Sequence, residues 1–483
     1  MKLRNLISDL SNAEIYGSGD PDISAVAYDS RRVKPNSLFM AVQGFAVDGN
    51  LFVPDAVTKG AAAILTDKPG ITAPVPVVLV NDARRAMALI SDRFYGSPQK
   101  SLIMTGITGT NGKTTTSYMV RSIFEAGKLG CGLIGTIKHM VSGREVTALN
   151  TTPEAPDIHA MLAQMAADGQ TACVMEVSSH ALALTRVAGI EFRAAAYTNL
   201  TRDHLDFHHT FAEYLDAKSR LFVDLPGDAT AVVNCEDTYA EHIIHAARPS
   251  AVMTYGFEDG DIKVAECILE PDKTDIVLET PAGRVETRLN IPGRYNVANA
   301  MAAAGIGISC GLPCDVVARG LAALKAVPGR FETVDEGQDF TVIVDYAHAP
   351  DALERILTSV REVTRGRLLS VFGCGGDRDR GKRPLMGEVS ARIADVSIVT
   401  SDNPRTEDPR AIIDDILEGV PDTADYIVIP DREQAIKRAI EMSRSGDCVV
   451  IAGKGHEDYQ IIGKEKRHFD DAETARRFLG ERI

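Results

Sequence analysis

The chain has 483 residues, 45% hydrophobic and 25% charged, which is ordinary for a globular protein of about three domains. A formal charge of −15 argues against nucleic acid as a partner and requires any anionic substrate to be held by local cations. No apolar run is long enough to cross a bilayer, Met1-Lys-Leu-Arg-Asn5 lacks the apolar stretch of a signal peptide, and the eight cysteines form no C-x-x-C pair. The expectation is a cytoplasmic protein with reduced thiols, no membrane insertion and a monomeric state.

Residues 1–98 read as a small α/β unit. Leu38–Val42, Ala62–Thr66 and a run ending at Val80 are short apolar strands, with helical periodicity at Asp55–Lys59 and Ala83–Tyr95. Tyr28-Asp-Ser-Arg-Arg32 offers hydroxyls and two cations, and on its own reads as a solvated turn. Pro98-Gln-Lys-Ser101 is a hinge into a second unit, 99–329. There, Ser101–Thr105 reads as a buried strand that the following glycines break. Behind Lys113, the positions Tyr118, Met119, Ile123 and Phe124 give one face of a helix. Strand, glycine-rich turn and helix start make a phosphate cradle, with Lys113 for the terminal phosphates and the Thr114 hydroxyl for Mg²⁺. Gly106 lies one residue too far from Gly112-Lys113-Thr114 for the common G-x-x-x-x-G-K-[ST] spacing.

Apolar strands follow at Thr171–Val177 and Ala194–Thr198, and polar residues gather just beyond them: Glu176-Val-Ser-Ser-His180 and Asn199-Leu-Thr-Arg-Asp-His-Leu-Asp206. Ligands of open α/β sheets bind at the carboxyl ends of strands, so this placement suits a catalytic site. Glu176 is expected there as a second metal ligand. On spacing alone His204 reads as a structural histidine, and Lys218 as a surface cation on a helix. Residues from Gly293 to Ala304 form a helix starting at its asparagine-rich end. From 330 to 483, strands at Thr341–Asp345, Leu368–Phe372, Val396–Thr400, Tyr426–Ile429 and Cys448–Ala452 alternate with helices, a Rossmann-like pattern. The strands lead into Asp345-Tyr-Ala-His348, Gly373–Arg380, Ser401-Asp-Asn-Pro-Arg405 and Gly453-Lys-Gly-His-Glu457. The fold class is therefore α/β in three domains, a central P-loop ATPase domain followed by a Rossmann-like C-terminal one.

Thr108-Gly-Thr-Asn-Gly-Lys-Thr-Thr115, Glu176-Val-Ser-Ser-His180, Thr198–His208 and Gly293-Arg-Tyr-Asn-Val-Ala-Asn-Ala300 together resemble the Mur ligase family, over nearly the whole chain. The resemblance implies an ATP-dependent ligase of peptidoglycan precursor synthesis that activates a carboxylate as an acyl phosphate. Asp402-Asn-Pro-Arg405 resembles the signature of members that add meso-diaminopimelate to UDP-N-acetylmuramoyl-L-alanyl-D-glutamate.

By that resemblance, Gly109, Thr110, Asn111, Gly112, Lys113, Thr114 and Thr115 hold the phosphates of ATP. Asn296, Asn299, Arg330, Asp345 and His348 hold its adenosine. Thr114, Glu176, His204 and Lys218 surround Mg²⁺, with Lys218 at a position that is carbamylated in the family; Lys113, Glu176, His204 and Lys218 are the catalytic set. Ser30, Phe45, Ala46 and Val47 fall on the UDP contacts. Asn150, Thr151, Thr152, Ser178 and Arg186 fall on the muramoyl dipeptide contacts. Some relatives carry His-Gln at Phe45-Ala46 and Gln at Leu184. Arg378, Asp402, Asn403, Pro404, Arg405, Gly453 and Glu457 fall on the diaminopimelate pocket, where forked guanidinium groups suit the distal carboxylate. A lysine-adding homologue, a folylpolyglutamate synthetase-like ligase and a non-catalytic nucleotide-binding homologue are the alternatives.

Overall fold

The computed structural model describes residues 1–44 and 47–482. Its first sheet has five strands, in the order Glu14–Tyr16, Val77–Leu79, Ala61–Thr66, Ser37–Met40 and Ala25–Ala27, and only the first runs antiparallel. Helix Ala83–Phe94 lays Ala83, Ala86, Met87 and Ile90 on Leu38, Met40, Leu65 and Val78. Asp82 caps it, accepting the Arg85 N–H at 2.9 Å. The helix expected at Asp55–Lys59 spans Val53–Thr58 instead, because Pro54 fits a first turn where no N–H partner is needed.

The central sheet has eleven strands. An inner strand, Ile103–Thr108, lies between Ala172–Glu176 and Ala194–Tyr197, both parallel to it. The chain departs to opposite sides of this strand, which creates a crevice at its carboxyl end. The expected break at Gly106 does not occur. The strand runs through it to Thr108, with the Phe192 ring packed where a side chain would stand. Cys131–Ile134, Thr230–Asn234 and Ala251–Gly256 extend the parallel part. Antiparallel strands extend both edges: Lys138–Val141 and Arg144–Thr147 on one, Thr274–Thr280 and Gly283–Leu289 beyond Ile262–Leu269 on the other. These were not expected from apolar runs. Thr274, Ile276 and Leu278 are buried in alternation with more exposed neighbours, the pattern of a sheet with one wet face.

The third sheet has the order Glu332–Thr333, Thr341–Asp345, Cys448–Ala452, Leu368–Phe372, Val396–Val399 and Tyr426–Val428, parallel except at its first strand. Helices Pro350–Val363 and Lys382–Ile393 cover one face, and Arg432–Met442 and Asp471–Arg482 the other. Coverage of both faces explains why these strands are continuous apolar runs. Two end one residue earlier than expected, leaving Thr400 and Ile429 in the loops.

Helix Ala155–Ala167 of the central unit packs on helix Ala83–Phe94 of the first. Tyr28 is part of this seam rather than of a solvated turn. Its hydroxyl donates to Asp157 at 2.5 Å, and Arg32 reaches the same carboxylate at 2.9 Å. Deeper in the seam His159 is fully buried, 3.4 Å from Asp92. Burial pulls its imidazole down to about 4, although Asp92 opposes the shift. The unfolded chain gains this proton below about pH 6.5 and the folded chain only near 4, so acidification through that window favours unfolding. His159→Gln is therefore expected to remove about 2 kcal/mol of the stability lost between pH 7 and pH 5. Urea midpoints at the two pH values check this; an unchanged acid loss contradicts it.

Candidate active site

Beyond Thr108 the chain turns through Gly109 and Gly112, both at positive φ, into helix Lys113–Ala126. A Cβ on Gly109 would stand 1.8 Å from the Thr198 hydroxyl, and one on Gly112 2.4 Å from Asn299 Oδ1. Only glycine fits at these approaches. The loop is braced from the neighbouring strand end. Thr198 donates to the Asn111 carbonyl at 2.6 Å, while the Thr110 and Asn111 N–H groups bond Asn199 at 2.8 and 3.0 Å. First-turn N–H groups of the helix have no intrahelical acceptor and face the loop's concavity with the positive end of the dipole. Lys113 Nζ folds over the loop onto the Gly109 and Thr110 carbonyls, 2.8 Å each, and its burial lowers its proton affinity.

Glu176 is wholly buried at the end of its strand. Its carboxylate accepts the Thr114 hydroxyl at 2.9 Å, the Thr136 hydroxyl at 2.8 Å and the Thr136 N–H at 2.9 Å. Thr136 was not anticipated: it lies 40 residues from Glu176 in sequence, and no motif marks it. Lys218, read from sequence alone as a surface cation, is buried with its ammonium 4.4 Å from the centre of the Tyr214 ring. Desolvation, and then repulsion from Lys113, hold its pKa well below the usual lysine range. Among the described residues no carboxylate lies within ion-pair distance of it. His204 is at φ +53, with its Nε2 3.4 Å from Asp203 and its ring 4.8 Å from that of His180.

Thr110 to Thr115, Thr136, His204 and Lys218 line a cavity of about 540 Å³ whose opposite wall comes from the third sheet. That wall includes Arg330, Asp345 and His348. Asp345 accepts the N–H groups of Phe331 and Ala347 at 2.8 and 2.9 Å, and burial raises its pKa. His348 donates Nδ1–H to the Tyr346 carbonyl at 2.9 Å. Arg330 lies over the Tyr346 ring, 4.4 Å from its centre. Asn299 also lines the cavity. Asn296 does not: its amide holds the Pro292 carbonyl at 2.7 Å and its oxygen accepts Asn299 Nδ2 at 3.1 Å.

Thr151 and Ser178 line the same cavity, and Thr151 Oγ1 is 3.1 Å from Thr136 Oγ1. Thr152 donates to the Glu176 carbonyl at 2.7 Å, and Arg186 to the Thr152 carbonyl at 2.9 Å. Asn150 is exposed on the same loop. Ser30 and Val47, in the first unit, lie outside the cavity lining. Phe45 and Ala46 fall outside the described residues.

The C-terminal strand ends build a second cluster. Arg405 is held at φ +53 by backbone bonds to Ile461 and Gly463, and its Nη1 donates to the Gly376 carbonyl at 2.7 Å. Arg378 is exposed and donates to the Asp377 carbonyl at 3.3 Å. The two arginines approach each other across Gly375. Asn403 Nδ2 donates to Glu457 at 2.8 Å, and its Oδ1 accepts the Ile461 N–H at 2.9 Å. Lys454, which the motif reading passed over, is completely buried with its ammonium 3.3 Å from Asn403 Oδ1 and 3.4 Å from Glu457. Asp402 and Pro404 are buried beside them, and Gly453 sits at φ +119 against Asp402.

A phosphate loop on an inner parallel strand of one sheet, facing the strand ends of a second across a shared cavity, defines a multidomain nucleotide-using enzyme. The chain belongs to the Mur ligase family. Residues 107–307 match the Mur ligase middle domain, 329–455 the glutamate ligase domain, and 22–95 the family's catalytic domain. It is 45% identical over 490 residues to the UDP-N-acetylmuramoyl-L-alanyl-D-glutamate--2,6-diaminopimelate ligase of Geobacillus thermodenitrificans (strain NG80-2), covering 100% of each chain. The ligase of the same name from Gloeobacter violaceus (strain ATCC 29082 / PCC 7421) is 45% identical over 467 residues, 96% of this chain and 95% of the relative. A solved structure of a ligase of that name superposes with a TM-score of 0.73 at 31% identity, covering 100% of this chain and 99% of the other.

Proposed function

We propose that this Mur ligase joins meso-diaminopimelate to UDP-N-acetylmuramoyl-L-alanyl-D-glutamate at the expense of ATP, in the cytoplasm and as a monomer. Residues 1–98 bind the UDP-sugar, 99–329 bind ATP, and 330–483 bind the amino acid. One observation carries the choice of amino acid: Arg405 is fixed by backbone pairing beside Arg378, with the Asn403–Glu457 pair in the same strand-end cluster. Diaminopimelate differs from lysine by a carboxylate at its far end. A cationic clamp left empty by lysine penalises it, whereas Glu457 takes an ammonium of either. The names of the full-length relatives agree with this reading.

In the first step an oxygen of the D-glutamate γ-carboxylate attacks the γ-phosphorus of ATP, and the bond to ADP breaks. In the second the amine of diaminopimelate attacks the acyl carbon, the carbon–oxygen bond to phosphate breaks, and the nitrogen loses a proton. The chain's work is alignment and charge neutralisation. The helix-start N–H groups and Lys113 hold the phosphates, Asn299 and Arg330 the adenosine with Asp345 and His348, and Thr151, Thr152, Ser178 and Arg186 the dipeptide.

The Thr114 hydroxyl and Glu176 carboxylate, 2.9 Å apart, are hard oxygen donors that fit Mg²⁺, with His204 and Lys218 beside the same cavity. Held there, the ion would supply neutralisation of charge on the transferring phosphoryl group. Lys218 serves there as a carbamate: its neutral amine nitrogen bonds the carbon of CO₂ and releases a proton, leaving an oxygen ligand. Its burial without a described anionic partner supports this assignment. Lys218→Ala is expected to lose about 10²-fold or more in kcat, while the unaltered protein should slow in bicarbonate-depleted buffer and recover when bicarbonate is restored. Full activity of Lys218→Ala in the depleted buffer contradicts the carbamate. To test the reaction itself, the γ-carboxylate is labelled with ¹⁸O. One label should appear in the released phosphate, and unlabelled phosphate rules out the acyl phosphate.

A further inference from the structure

The surfaces assigned to the two ends of the acceptor meet at one carboxylate. Glu154 stands at the N-cap of helix Ala155–Ala167, two residues beyond Thr152. Its Oε1 takes Arg186 at 2.7 Å, and its Oε2 faces Arg84 at 3.4 Å. Arg84 comes from the first unit, and its Nη2 donates to the Gln43 carbonyl at 2.7 Å, immediately before Gly44. On the other side Arg186 bonds the Thr152 carbonyl, and Thr152 bonds the carbonyl of Glu176. The series Gln43, Arg84, Glu154, Arg186, Thr152, Glu176 is unbroken. The three ionic side chains in it are 18%, 15% and 11% exposed, so their attraction is weakly screened. Ala88, Ala155 and Ala188 pack in the same seam, and their small side chains keep the two units close.

We propose that Glu154 is a positioning residue that couples the end of the first unit assigned to uridine diphosphate, through Arg84 and the Gln43 carbonyl, to the segment for the dipeptide. Binding at the nucleotide end then aligns the carboxylate to be phosphorylated. This rests on the function proposed above. Binding energy from a remote part of a substrate raises the rate only when something rigid transmits it to the reacting end. Glu154 is that link because, among the described residues, it is the carboxylate that faces both arginines. Without its charge, two partly buried guanidinium groups confront each other across the seam and repel.

The test compares two acceptors: the UDP-linked muramoyl dipeptide and the same muramoyl dipeptide lacking uridine diphosphate. Values of kcat/KM come from phosphate release, and dissociation constants from calorimetry where turnover falls below detection. Glu154→Gln is expected to lose about 10-fold on the full acceptor and no more than about twofold on the truncated one, with KM for ATP unchanged. Arg84→Gln should reproduce this pattern, and the double variant should be no worse than either single one, since both cut the same link. Should Glu154→Gln fail to fold, Arg84→Gln carries the comparison. Equal losses on both acceptors, no loss on either, or additive losses overturn the proposal. If the unaltered protein uses neither acceptor, the function reading has failed first, a separate result.

Discussion

Glu176→Gln is expected to lower kcat by about 10²–10³-fold while leaving the fold intact. The substitution keeps the shape of a side chain that is fully buried, so packing at the strand end is preserved. It removes the negative charge on which the Thr114 and Thr136 hydroxyls converge, and with it the oxygen donor proposed for Mg²⁺. KM for diaminopimelate should move little, because the C-terminal cluster is built from other strands. Phosphate release titrated with Mg²⁺, together with a melting curve, checks the prediction. A kcat within about tenfold of the unaltered protein, at ordinary Mg²⁺, contradicts the assigned role.

Arg405→Ala should reduce kcat/KM for diaminopimelate by about 10³-fold, with the apparent affinity for ATP nearly unchanged. Arg405 is not interchangeable with a flexible cation, since its backbone is pinned between Ile461 and Gly463 and its guanidinium is aimed by the Gly376 carbonyl. Arg405→Lys is therefore expected to recover only a small part of the loss. Steady-state kinetics with diaminopimelate and ATP varied separately decides it. Parallel losses toward both substrates point to a damaged domain instead.

The third domain was the most legible part of the chain, for a physical reason. Strands covered on both faces, such as Cys448–Ala452, are unbroken apolar runs, and the polar residues that follow them stand out. The phosphate loop was equally plain, although the strand before it runs through Gly106, whose missing side chain accommodates Phe192. The hairpin strands between Ile262 and Leu289 were missed because a half-wet sheet alternates and leaves no apolar run. Roles for His204, Lys218 and the dipeptide residues entered through family resemblance. Singly, each is an ordinary polar side chain. Least legible were partners distant in sequence. Thr136 meets Glu176, Lys454 meets Asn403, and Tyr28 meets Asp157 only once the sheets and the seam between them have formed.

The central claim is that ATP cleavage is committed to one acceptor carboxylate and one amine. Phosphate release with diaminopimelate and lysine side by side, in the presence and absence of the UDP-linked dipeptide, tests it most directly. Release is predicted only when dipeptide and diaminopimelate are both present, with a product heavier than the dipeptide by one diaminopimelate residue. Equal turnover with lysine, or phosphate release that ignores the dipeptide, would contradict the account.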